Sequence, residues 1–321
     1  MSNKNVLVLG ATGQDGSYLS KLLIDKGYNV FGTTRDVFTA NTQNLKKLGI
    51  EKKINLISTT INDFRSLILT LEKIEPQFIF HLAGQTSVGL SFELPFEAFD
   101  SISISTLTLL ETVRFFNPKI KLFLPCSSDC FGNISEGNLA DEESPHNPLS
   151  PYAIAKSTSY WLAQSYRQSY GMFISVGFLS NHESPLRGKH FVTSKILREI
   201  KRIKNKEVSE LYLGNLEIIR DWGWAPSYVE AIYKIITYES ADDFVVCTGK
   251  SFSLNYFVKK IFELSGLDDH NKYIRRIESE IRPNEIRSSY LNPSKAQKIL
   301  KWKNEIDFDS MVLKLINEEL Y

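Results

Sequence analysis

The sequence predicts an α/β fold in which helices cover both faces of a doubly wound parallel sheet. Three observations support this prediction. Short β-branched runs alternate with helical patterns through the first half, a glycine-rich turn directly follows the first strand-like run, and 321 residues exceed a single usual core. Such alternation implies right-handed βαβ crossovers. We therefore expect one large sheet domain and a smaller companion lobe.

The strand-like runs of the first half are short and apolar. They are Val6–Leu9, Val30–Thr34, Ile54–Ser58, Phe78–Ala83, Lys121–Cys126 and Phe173–Gly177. Helical patterns lie between them at Tyr18–Lys26, Phe64–Ile74, Ile102–Phe116 and Ala153–Tyr170. Beyond Leu179 the pattern is less regular, with a loop-rich segment from Asn181 to His190 and helices at Ser194–Lys204 and near Asp309–Glu319. We interpret residues 1–178 as the sheet domain and residues 179–321 as a smaller C-terminal lobe that is partly interleaved with it.

The composition is that of an ordinary globular protein, with 42% hydrophobic and 23% charged residues and a net charge of +1. This balance predicts neither a nucleic-acid partner nor a membrane partner. The amino terminus lacks the pattern of a signal peptide, and the three cysteines, Cys126, Cys130 and Cys247, cannot all pair. No metal-ligand spacing surrounds the cysteines, so we expect no metal site and packing roles for the thiols. Because the three cysteines cannot all form disulfides, we expect a reducing, cytoplasmic location.

A glycine-rich turn, Gly10-Ala11-Thr12-Gly13-Gln14-Asp15-Gly16, lies between the first strand and an amphipathic helix. Glycines there allow a tight turn and the close approach of a pyrophosphate to the positive end of the helix. In that context the turn predicts a Rossmann-type dinucleotide-binding domain. The three-and-three glycine spacing resembles that of the extended short-chain dehydrogenases/reductases.

The residues after the second strand bear on the choice of cofactor. An acidic residue there suits the ribose 2′-hydroxyl of NAD, whereas an arginine suits the 2′-phosphate of NADP. This chain has Arg35 followed by Asp36. Arg35 favours NADP and Asp36 keeps NAD open, while a solvated surface pair remains an alternative.

Tyr152 and Lys156 lie four residues apart at the start of a helical pattern, so that the phenol and the ammonium share one face. A cation beside a phenol stabilises the phenolate, and we expect it to lower the pKa of Tyr152 so that the phenolate can remove a proton. The same spacing recurs at Tyr256 and Lys260. Only the first pair follows the βα units and a serine-bearing strand end.

That strand end carries Ser127, Ser128 and Asp129 and lies at the carboxyl edge of the predicted sheet, where doubly wound folds bind ligands. Ser127 is a candidate hydrogen-bond donor to a reacting oxygen, and Asp129 adds a carboxylate. Alternatively, the three residues are simple turn formers.

Further motifs are spread along nearly the whole chain. They include Leu82-Ala83-Gly84-Gln85, Ser150-Pro151-Tyr152, Asn181 to Gly188, Phe191-Val192-Thr193, Leu213-Gly214-Asn215-Leu216, Arg220-Asp221-Trp222-Gly223 and Arg282-Pro283-Asn284-Glu285. Together with the glycine turn they resemble the GDP-mannose 4,6-dehydratases.

This resemblance implies a set of site residues. Catalysis would fall to Ser127, Asp129, Tyr152 and Lys156. The cofactor would bind to Gly10, Thr12, Gly13, Gln14, Asp15, Gly16, Arg35, Leu82, Ala83, Gln85, Tyr152, Lys156, His182 and Arg187. The nucleotide sugar would bind to Ser87, Asn181, Arg220, Arg282 and Glu285; for Arg220, a surface ion pair is the alternative.

The resemblance also implies a reaction on GDP-mannose or a related GDP-hexose or heptose. Tyr152 would take the proton of the sugar 4-hydroxyl while the cofactor takes hydride from C4, Asp129 would remove the C5 proton as water leaves C6, and the hydride would return to C6. The family usually has glutamate at the position of Asp129. A displacement of about 1 Å can cost about a hundredfold in rate, so the shorter side chain bears on the elimination step.

Two other functions remain open. A 4-epimerase or 4-keto reductase needs Ser127, Tyr152 and Lys156 but no elimination carboxylate, and a cofactor-binding sensor or scaffold needs no turnover at all. By analogy with the family we expect a homodimer through the Ile102–Phe116 and Ala153–Tyr170 helices, or a homotetramer. The family tends to have a second arginine after the first and an aspartate after the third strand, where this chain has Asp36 and Thr60. Both replacements weigh against NADP and against a tetramer built around shared cofactor contacts.

Overall fold

Seven parallel strands form the central sheet of the protein, in the order β10-β6-β5-β4-β1-β2-β3. The structure, a computed structural model, describes residues 4–267 and 269–321. The seven strands are β1 (Asn5–Leu9), β2 (Asn29–Thr34), β3 (Asn55–Ser58), β4 (Phe78–His81), β5 (Lys121–Ser127), β6 (Ile174–Leu179) and β10 (Asp243–Val246). The predicted doubly wound α/β fold is confirmed.

Helices cover both faces of this sheet and build the smaller lobe. They are α1 (Gln14–Asp25), α2 (Gln43–Lys47), α3 (Phe64–Ile74), α4 (Val88–Glu93), α5 (Pro95–Phe99), α6 (Ser105–Phe116), α7 (Pro151–Tyr170), α8 (Val192–Lys204), α9 (Ala225–Thr237), α10 (Leu254–Leu264), α11 (Ser294–Ile299) and α12 (Phe308–Ile316). Short 3-10 turns lie at Ser128–Phe131, His270–Lys272 and Glu278–Glu280.

Strand β1 shows how the sheet is buried on both sides. Val6 and Val8 face a core shared with α1 and α9, whereas Leu7 and Leu9 face a second core shared with α3 and α6. All four side chains are fully buried. A strand covered on both faces carries a continuous apolar run, which is why the sequence signal was clear.

The smaller lobe contains two further sheets. β7 (Asn181–Glu183), β9 (Ile219–Trp224) and β11 (Ser251–Ser253) form one, and β8 (Leu211–Leu213) with β12 (Ile274–Arg276) forms the other. A third core fills this lobe around Trp222, Phe257 and Phe308. The chain then returns to the large sheet, because β10 pairs in parallel with β6.

The structure differs from the sequence prediction at two places that shape the site. The loop-rich segment after Leu179 contains the short strand β7, which pairs with β9. The helix predicted from Ile102 begins as a π-helical segment, Asp100–Ile104, that runs into α6. Single π turns of this kind are frequent next to functional sites. No helix in the described part of the chain is long and apolar enough to cross a membrane.

Candidate active site

The carboxyl end of β5 carries the serine and the carboxylate of the predicted site. Ser127 is the last residue of the strand, and its hydroxyl accepts a hydrogen bond from the backbone N–H of Asp129 at 3.2 Å. This bond starts the 3-10 turn Ser128–Phe131. The hydrogen bond supports the turn-forming alternative for the backbone. Both side chains also line a cleft at this edge of the sheet.

Helix α7 presents the tyrosine and the lysine to the same cleft. The Ser150 hydroxyl caps the helix by accepting from the Ala153 N–H at 3.1 Å, and Pro151 occupies the first turn, where its missing N–H costs nothing. Lys156 Nζ donates to the Pro125 carbonyl at 2.9 Å and lies 5.9 Å from the centre of the Tyr152 ring. The β5 backbone thus fixes the ammonium beside the phenol.

The expected low pKa of the phenol is not found. Burial, reinforced by the charge of Asp129, raises the pKa of Tyr152 well above its usual value, and a hydrogen bond with Ser127 opposes this only in part. Burial also lowers the pKa of Lys156. The prediction was wrong here because it considered spacing along the helix and not desolvation, which disfavours the charged form of both groups.

The glycine turn has the geometry that a pyrophosphate requires. Gly10 has φ +84°, and a Cβ there would lie 2.7 Å from the Ala83 nitrogen. A Cβ on Gly16 would lie 2.2 Å from the Gly10 carbonyl oxygen, so the helix packs directly on the turn. Gly13 is the N-cap of α1 and supplies no side-chain cap, which leaves the first N–H groups for an anion. The turn fits a dinucleotide cofactor.

Asp15 and His182 connect this turn to β7. His182 Nε2 lies 2.9 Å from the Asp15 carboxylate, and its Nδ1 lies 2.7 Å from the Ser180 carbonyl. Burial opposes ionisation of Asp15, but the charge and hydrogen bond of His182, with Arg187 nearby, hold the pKa of Asp15 at about 2. Burial likewise opposes protonation of His182, yet Asp15 raises its pKa.

Gln14 strengthens the same connection. Its amide donates to the His182 carbonyl at 3.1 Å and accepts from the Ser184 hydroxyl at 2.8 Å. The structure therefore places Gln14 in a link between the glycine turn and the smaller lobe, and not in the lining of the cleft. Thr12 contributes its carbonyl, which accepts from the Asn44 amide at 3.1 Å.

Arg187 lies over the Phe191 ring at 3.8 Å and 3.5 Å from the Glu183 carboxylate. Glu183 is buried and accepts from the Thr193 hydroxyl at 2.6 Å. Glu183, Phe191 and Thr193 all line the cleft, although the sequence prediction assigned them no role. The glutamate within the Asn181 to Gly188 motif was the sequence signal that could have identified this cluster.

Arg220 is buried, with 6% of its surface exposed, and donates to the carbonyls of Ile219 and Ile286 at 2.9 and 2.8 Å. The alternative of a surface ion pair is therefore wrong. Burial lowers the pKa of Arg220, while the charges of Asp129 and Glu285 act in the opposite direction. Arg282 borders the same space, so two cations and the carboxylate of Asp129 meet at the end of the cleft.

The loop after β4 forms another wall. Gly84 has φ +129°, which lets the chain turn past the π-helical segment. The Gln85 N–H donates to the Ser101 hydroxyl at 3.1 Å, and the Gln85 amide donates to the Ser87 carbonyl at 2.7 Å. Ser87 caps α4 by accepting from the Leu90 N–H at 3.2 Å. The Gln85 side-chain oxygen is buried without a protein hydrogen-bond partner.

Arg35 and Asp36 differ in how their side chains are used. Asp36 accepts from the Phe38 N–H at 2.9 Å and from the Thr39 hydroxyl at 3.0 Å. Arg35 is exposed and makes no hydrogen bond or ion pair within the described part of the chain. The carboxylate is thus engaged by its own loop, and the guanidinium is available to a ligand.

Most of the predicted site residues come together in one cleft. Those lining it are Asp15, Leu82, Ala83, Ser87, Ser127, Asp129, Tyr152, Lys156, Asn181, His182, Arg187, Arg220 and Arg282. Glu285 lies in an adjoining pocket with Asp129 and both arginines. Gly10, Thr12, Gly13, Gln14, Gly16, Arg35 and Gln85 lie outside the cleft lining. Among residues 4–267 and 269–321, no cluster of three His, Cys, Asp or Glu residues could hold a metal ion.

The second tyrosine–lysine pair serves as an internal comparison. Tyr256 stacks on Phe252 and packs against Phe308, with its ring 5.9 Å from Lys260 Nζ. Lys260 forms an ion pair with Asp309 at 2.9 Å. This pair belongs to the packing of α10 and α12, and neither residue lines the cleft that Tyr152 and Lys156 share.

A doubly wound sheet with a glycine turn, and a tyrosine and lysine facing a serine at one cleft, define the extended short-chain dehydrogenase/reductase class. The profile of the GDP-mannose 4,6 dehydratase family matches residues 7–315. The chain is 37% identical to GDP-mannose 4,6 dehydratase 1 of Arabidopsis thaliana, over 99% of this chain and 90% of that protein. It is 33% identical to the GDP-mannose 4,6-dehydratase of Vibrio cholerae, over 99% and 94%. The chain belongs to the GDP-mannose 4,6-dehydratase family.

Solved structures share the fold at lower identity. A dTDP-glucose 4,6-dehydratase of Streptomyces venezuelae, solved with NAD, superposes with a TM-score of 0.87 at 18% identity over 98% of this chain and 96% of that chain. A UDP-glucose 4-epimerase of Thermotoga maritima gives 0.86 at 22% identity over 98% of both chains. The same architecture therefore supports dehydration in one enzyme and epimerisation in another, so the reaction must be argued from the site.

Proposed function

We propose that the chain is a nucleotide-sugar 4,6-dehydratase that converts GDP-mannose, or a related GDP-hexose or heptose, to the GDP-4-keto-6-deoxy sugar with loss of water. The observation that carries this proposal is the meeting of Ser127, Tyr152 and Lys156 with the carboxylate of Asp129 in one cleft. Oxidation at C4 needs the first three residues. Elimination across C5 and C6 needs the carboxylate.

A bound nicotinamide cofactor would accept hydride from C4 and return it to C6, and its positive charge in the oxidised form would favour the Tyr152 phenolate. Tyr152 would remove the proton of the 4-hydroxyl while Ser127 donates a hydrogen bond to the same oxygen. Lys156, anchored by the Pro125 carbonyl, would stabilise the phenolate by its charge.

The 4-keto group would acidify the C5 hydrogen, and Asp129 would remove that proton while the 6-hydroxyl leaves as water. Asp129 is half-buried in the 3-10 turn, whose first hydrogen bond fixes its backbone against Ser127. Asp129 also shares a pocket with Arg220 and Arg282, which supports its assignment to the substrate side of the cleft.

Arg220 and Arg282 would bind the diphosphate, because a planar guanidinium can donate two parallel hydrogen bonds to phosphate oxygens. Asn181, Ser87 and Glu285 would complete the nucleotide-sugar site. Asn181 and Ser87 line the cleft, and Glu285 lies beside both arginines.

For the cofactor we propose NADP. The exposed guanidinium of Arg35 follows β2, where the 2′-phosphate is expected, while the carboxylate of Asp36 is engaged by its own loop. His182 and Arg187 would border the cofactor from the β7 side. Residues 1–178 would form the dinucleotide-binding domain and residues 179–321 most of the substrate lobe, in a cytoplasmic enzyme.

A homodimer through α6 and α7 is part of the proposal. Leu107 on α6, and Ile154 and Trp161 on α7, are 36%, 42% and 59% exposed. Large apolar side chains exposed on neighbouring helices are typical of subunit interfaces.

One observation supports a second function. Aspartate reaches one methylene less far than glutamate, so a chain that had lost elimination would act as a 4-epimerase or a 4-keto reductase with the same Ser127, Tyr152 and Lys156.

The experiment is to incubate purified protein with GDP-mannose, without added reductant or oxidant, and to measure the mass of the product. Loss of one water supports the dehydratase, and a product of unchanged mass supports the epimerase. No turnover of any sugar in a panel of GDP-, CDP-, UDP- and dTDP-sugars, despite cofactor binding, would favour a sensor or scaffold.

Variants assign the elimination base. We expect Asp129→Asn to abolish dehydration while nucleotide-sugar binding is retained, and Asp129→Glu to keep it. Asp25→Asn is the matched control, because Asp25 is exposed on α1, lies outside the cleft and pairs with Lys21. Unchanged turnover in Asp129→Asn would point to Glu183, another carboxylate of the cleft.

A further inference from the structure

Two thiols flank the turn that carries Ser127 and Asp129. Cys126 immediately precedes Ser127 on β5, and Cys130 immediately follows Asp129 in the 3-10 turn. Their sulfur atoms lie 3.3 Å apart, and both cysteines are free. The sequence predicts only packing roles for these cysteines, and nothing in the proposed reaction uses them.

The same two sulfurs touch the helix that carries the other half of the site. Cys126 Sγ lies 3.6 Å from the Lys156 carbonyl, and Cys130 Sγ lies 3.6 Å from the Ala153 carbonyl. The thiol pair therefore lies between the Ser127–Asp129 turn and the first turns of α7, which carry Tyr152 and Lys156.

We propose that Cys126 and Cys130 form a reversible disulfide in response to a hydroperoxide, and that this disulfide switches off the active site. The oxidant is a small hydroperoxide such as hydrogen peroxide, and the reductant that reverses the step is a cellular or added thiol.

The chemistry proceeds in two balanced steps. The Cys126 sulfur attacks one oxygen of the peroxide, the O–O bond breaks, and the products are Cys126 sulfenic acid and water. The Cys130 sulfur then attacks the Cys126 sulfur, the S–OH bond breaks, and a second water leaves with the Cys130 proton. Two thiols are oxidised, two hydrogens are lost from the protein, and one peroxide is reduced.

The surroundings of the two sulfurs set this order. Cys126 lines the cleft and is 4% exposed, so a small oxidant reaches it from the substrate side, whereas Cys130 is fully buried. Burial raises the pKa of the Cys130 thiol, which makes disulfide closure the slower step.

The structural consequence follows from bond length. A disulfide has its sulfurs about 2.05 Å apart, so the pair must close by about 1.2 Å from its present 3.3 Å. That closure pulls the Ser127–Asp129 turn relative to α7 and removes both thiol donors from the α7 carbonyls. A displacement of about 1 Å between reacting groups costs about a hundredfold in rate.

The test treats reduced full-length protein with hydrogen peroxide, then denatures it and alkylates the remaining thiols. Reduced protein takes up three alkyl groups, one for each free cysteine. Peroxide-treated protein should take up one, and the fragment from residue 122 to residue 156 should lose two hydrogens. Turnover of GDP-mannose should fall as the fraction of disulfide rises, to about a hundredth in fully oxidised protein, and should return with dithiothreitol.

Cys247→Ala is the matched control, since Cys247 is equally buried but lies at the end of β10. It should still form the disulfide, whereas Cys130→Ala should lose the inhibition that dithiothreitol reverses. Three alkylatable thiols after peroxide treatment would overturn the proposal, and so would a disulfide that leaves turnover and nucleotide affinity unchanged. The disulfide proposal rests on the proposed function only for its effect on turnover. If the protein turns over no nucleotide sugar, the mass of the alkylated protein still shows whether the disulfide forms, and the cofactor affinity shows whether it disturbs the site. Failure of the proposed function can therefore be told apart from failure of the disulfide proposal.

Discussion

Replacing Asp15 with asparagine removes the charge that holds His182 against the glycine turn. The two side chains are 2.9 Å apart, and 25% of the Asp15 side chain is exposed. A pKa held at about 2 in place of 3.8 corresponds to about 2 kcal/mol of unfolding free energy at neutral pH. We expect Asp15→Asn to lose about that amount.

The pH dependence has a defined sign. The lowered pKa of Asp15 means that its contribution is present above pH 3.8 and is lost as the pH falls toward 2. The raised pKa of His182 means that its contribution is present below pH 6.5 and is lost as the pH rises through its folded-state pKa. The difference between wild type and variant should therefore be largest near about pH 5 and smaller near about pH 9.

Urea unfolding followed by circular dichroism at several pH values measures this difference. Asp25→Asn is the control, and as a surface pair it should change stability by less than about 1 kcal/mol. A variant as stable as wild type to within about 0.5 kcal/mol at pH 5 would refute the reasoning, as would a difference that stays constant up to pH 9.

Three further predictions concern binding and packing. Arg35→Ala should raise the Kd for NADP about tenfold and leave the Kd for NAD unchanged, as measured by calorimetry; equal effects on both cofactors would contradict the 2′-phosphate role. Arg282→Lys should raise the KM for the nucleotide sugar about tenfold with kcat retained, because lysine lacks the planar guanidinium that can donate two parallel hydrogen bonds. The control Arg287→Lys, at an exposed position outside the cleft, should leave the KM unchanged. Gly16→Ala should lower the unfolding free energy by about 1–3 kcal/mol or more, since its Cβ would lie 2.2 Å from the Gly10 carbonyl oxygen. In the control Gly13→Ala, the new Cβ would lie 3.5 Å from the same oxygen, and the variant should fold. Equal thermal stability of the two variants would contradict this packing.

The large sheet could be predicted from the sequence because its strands are buried on both faces and separated by helices of regular period. The smaller lobe could not. β7, β8, β11 and β12 each have three residues and pair with partners far along the chain, so they leave no periodic signal.

The candidate site divides in the same way. Ser127, Tyr152 and Lys156 were accessible to prediction because parallel strands end at one edge and because a four-residue helical spacing fixes a shared face. The pairing of Asp15 with His182 joins residues 167 positions apart, and the contact of Cys126 with Cys130 depends on how a strand end meets a turn. The raised pKa of Tyr152 likewise follows from burial, which spacing does not report.

The most direct test of the central claim uses GDP-mannose labelled with deuterium at C4 of the sugar. Without added cofactor, the account predicts a product lighter by one water that carries the deuterium at C6, as measured by mass spectrometry and NMR, and no such product from Asp129→Asn. A product of unchanged mass with the configuration at C4 inverted would contradict dehydration and assign the chain to epimerisation.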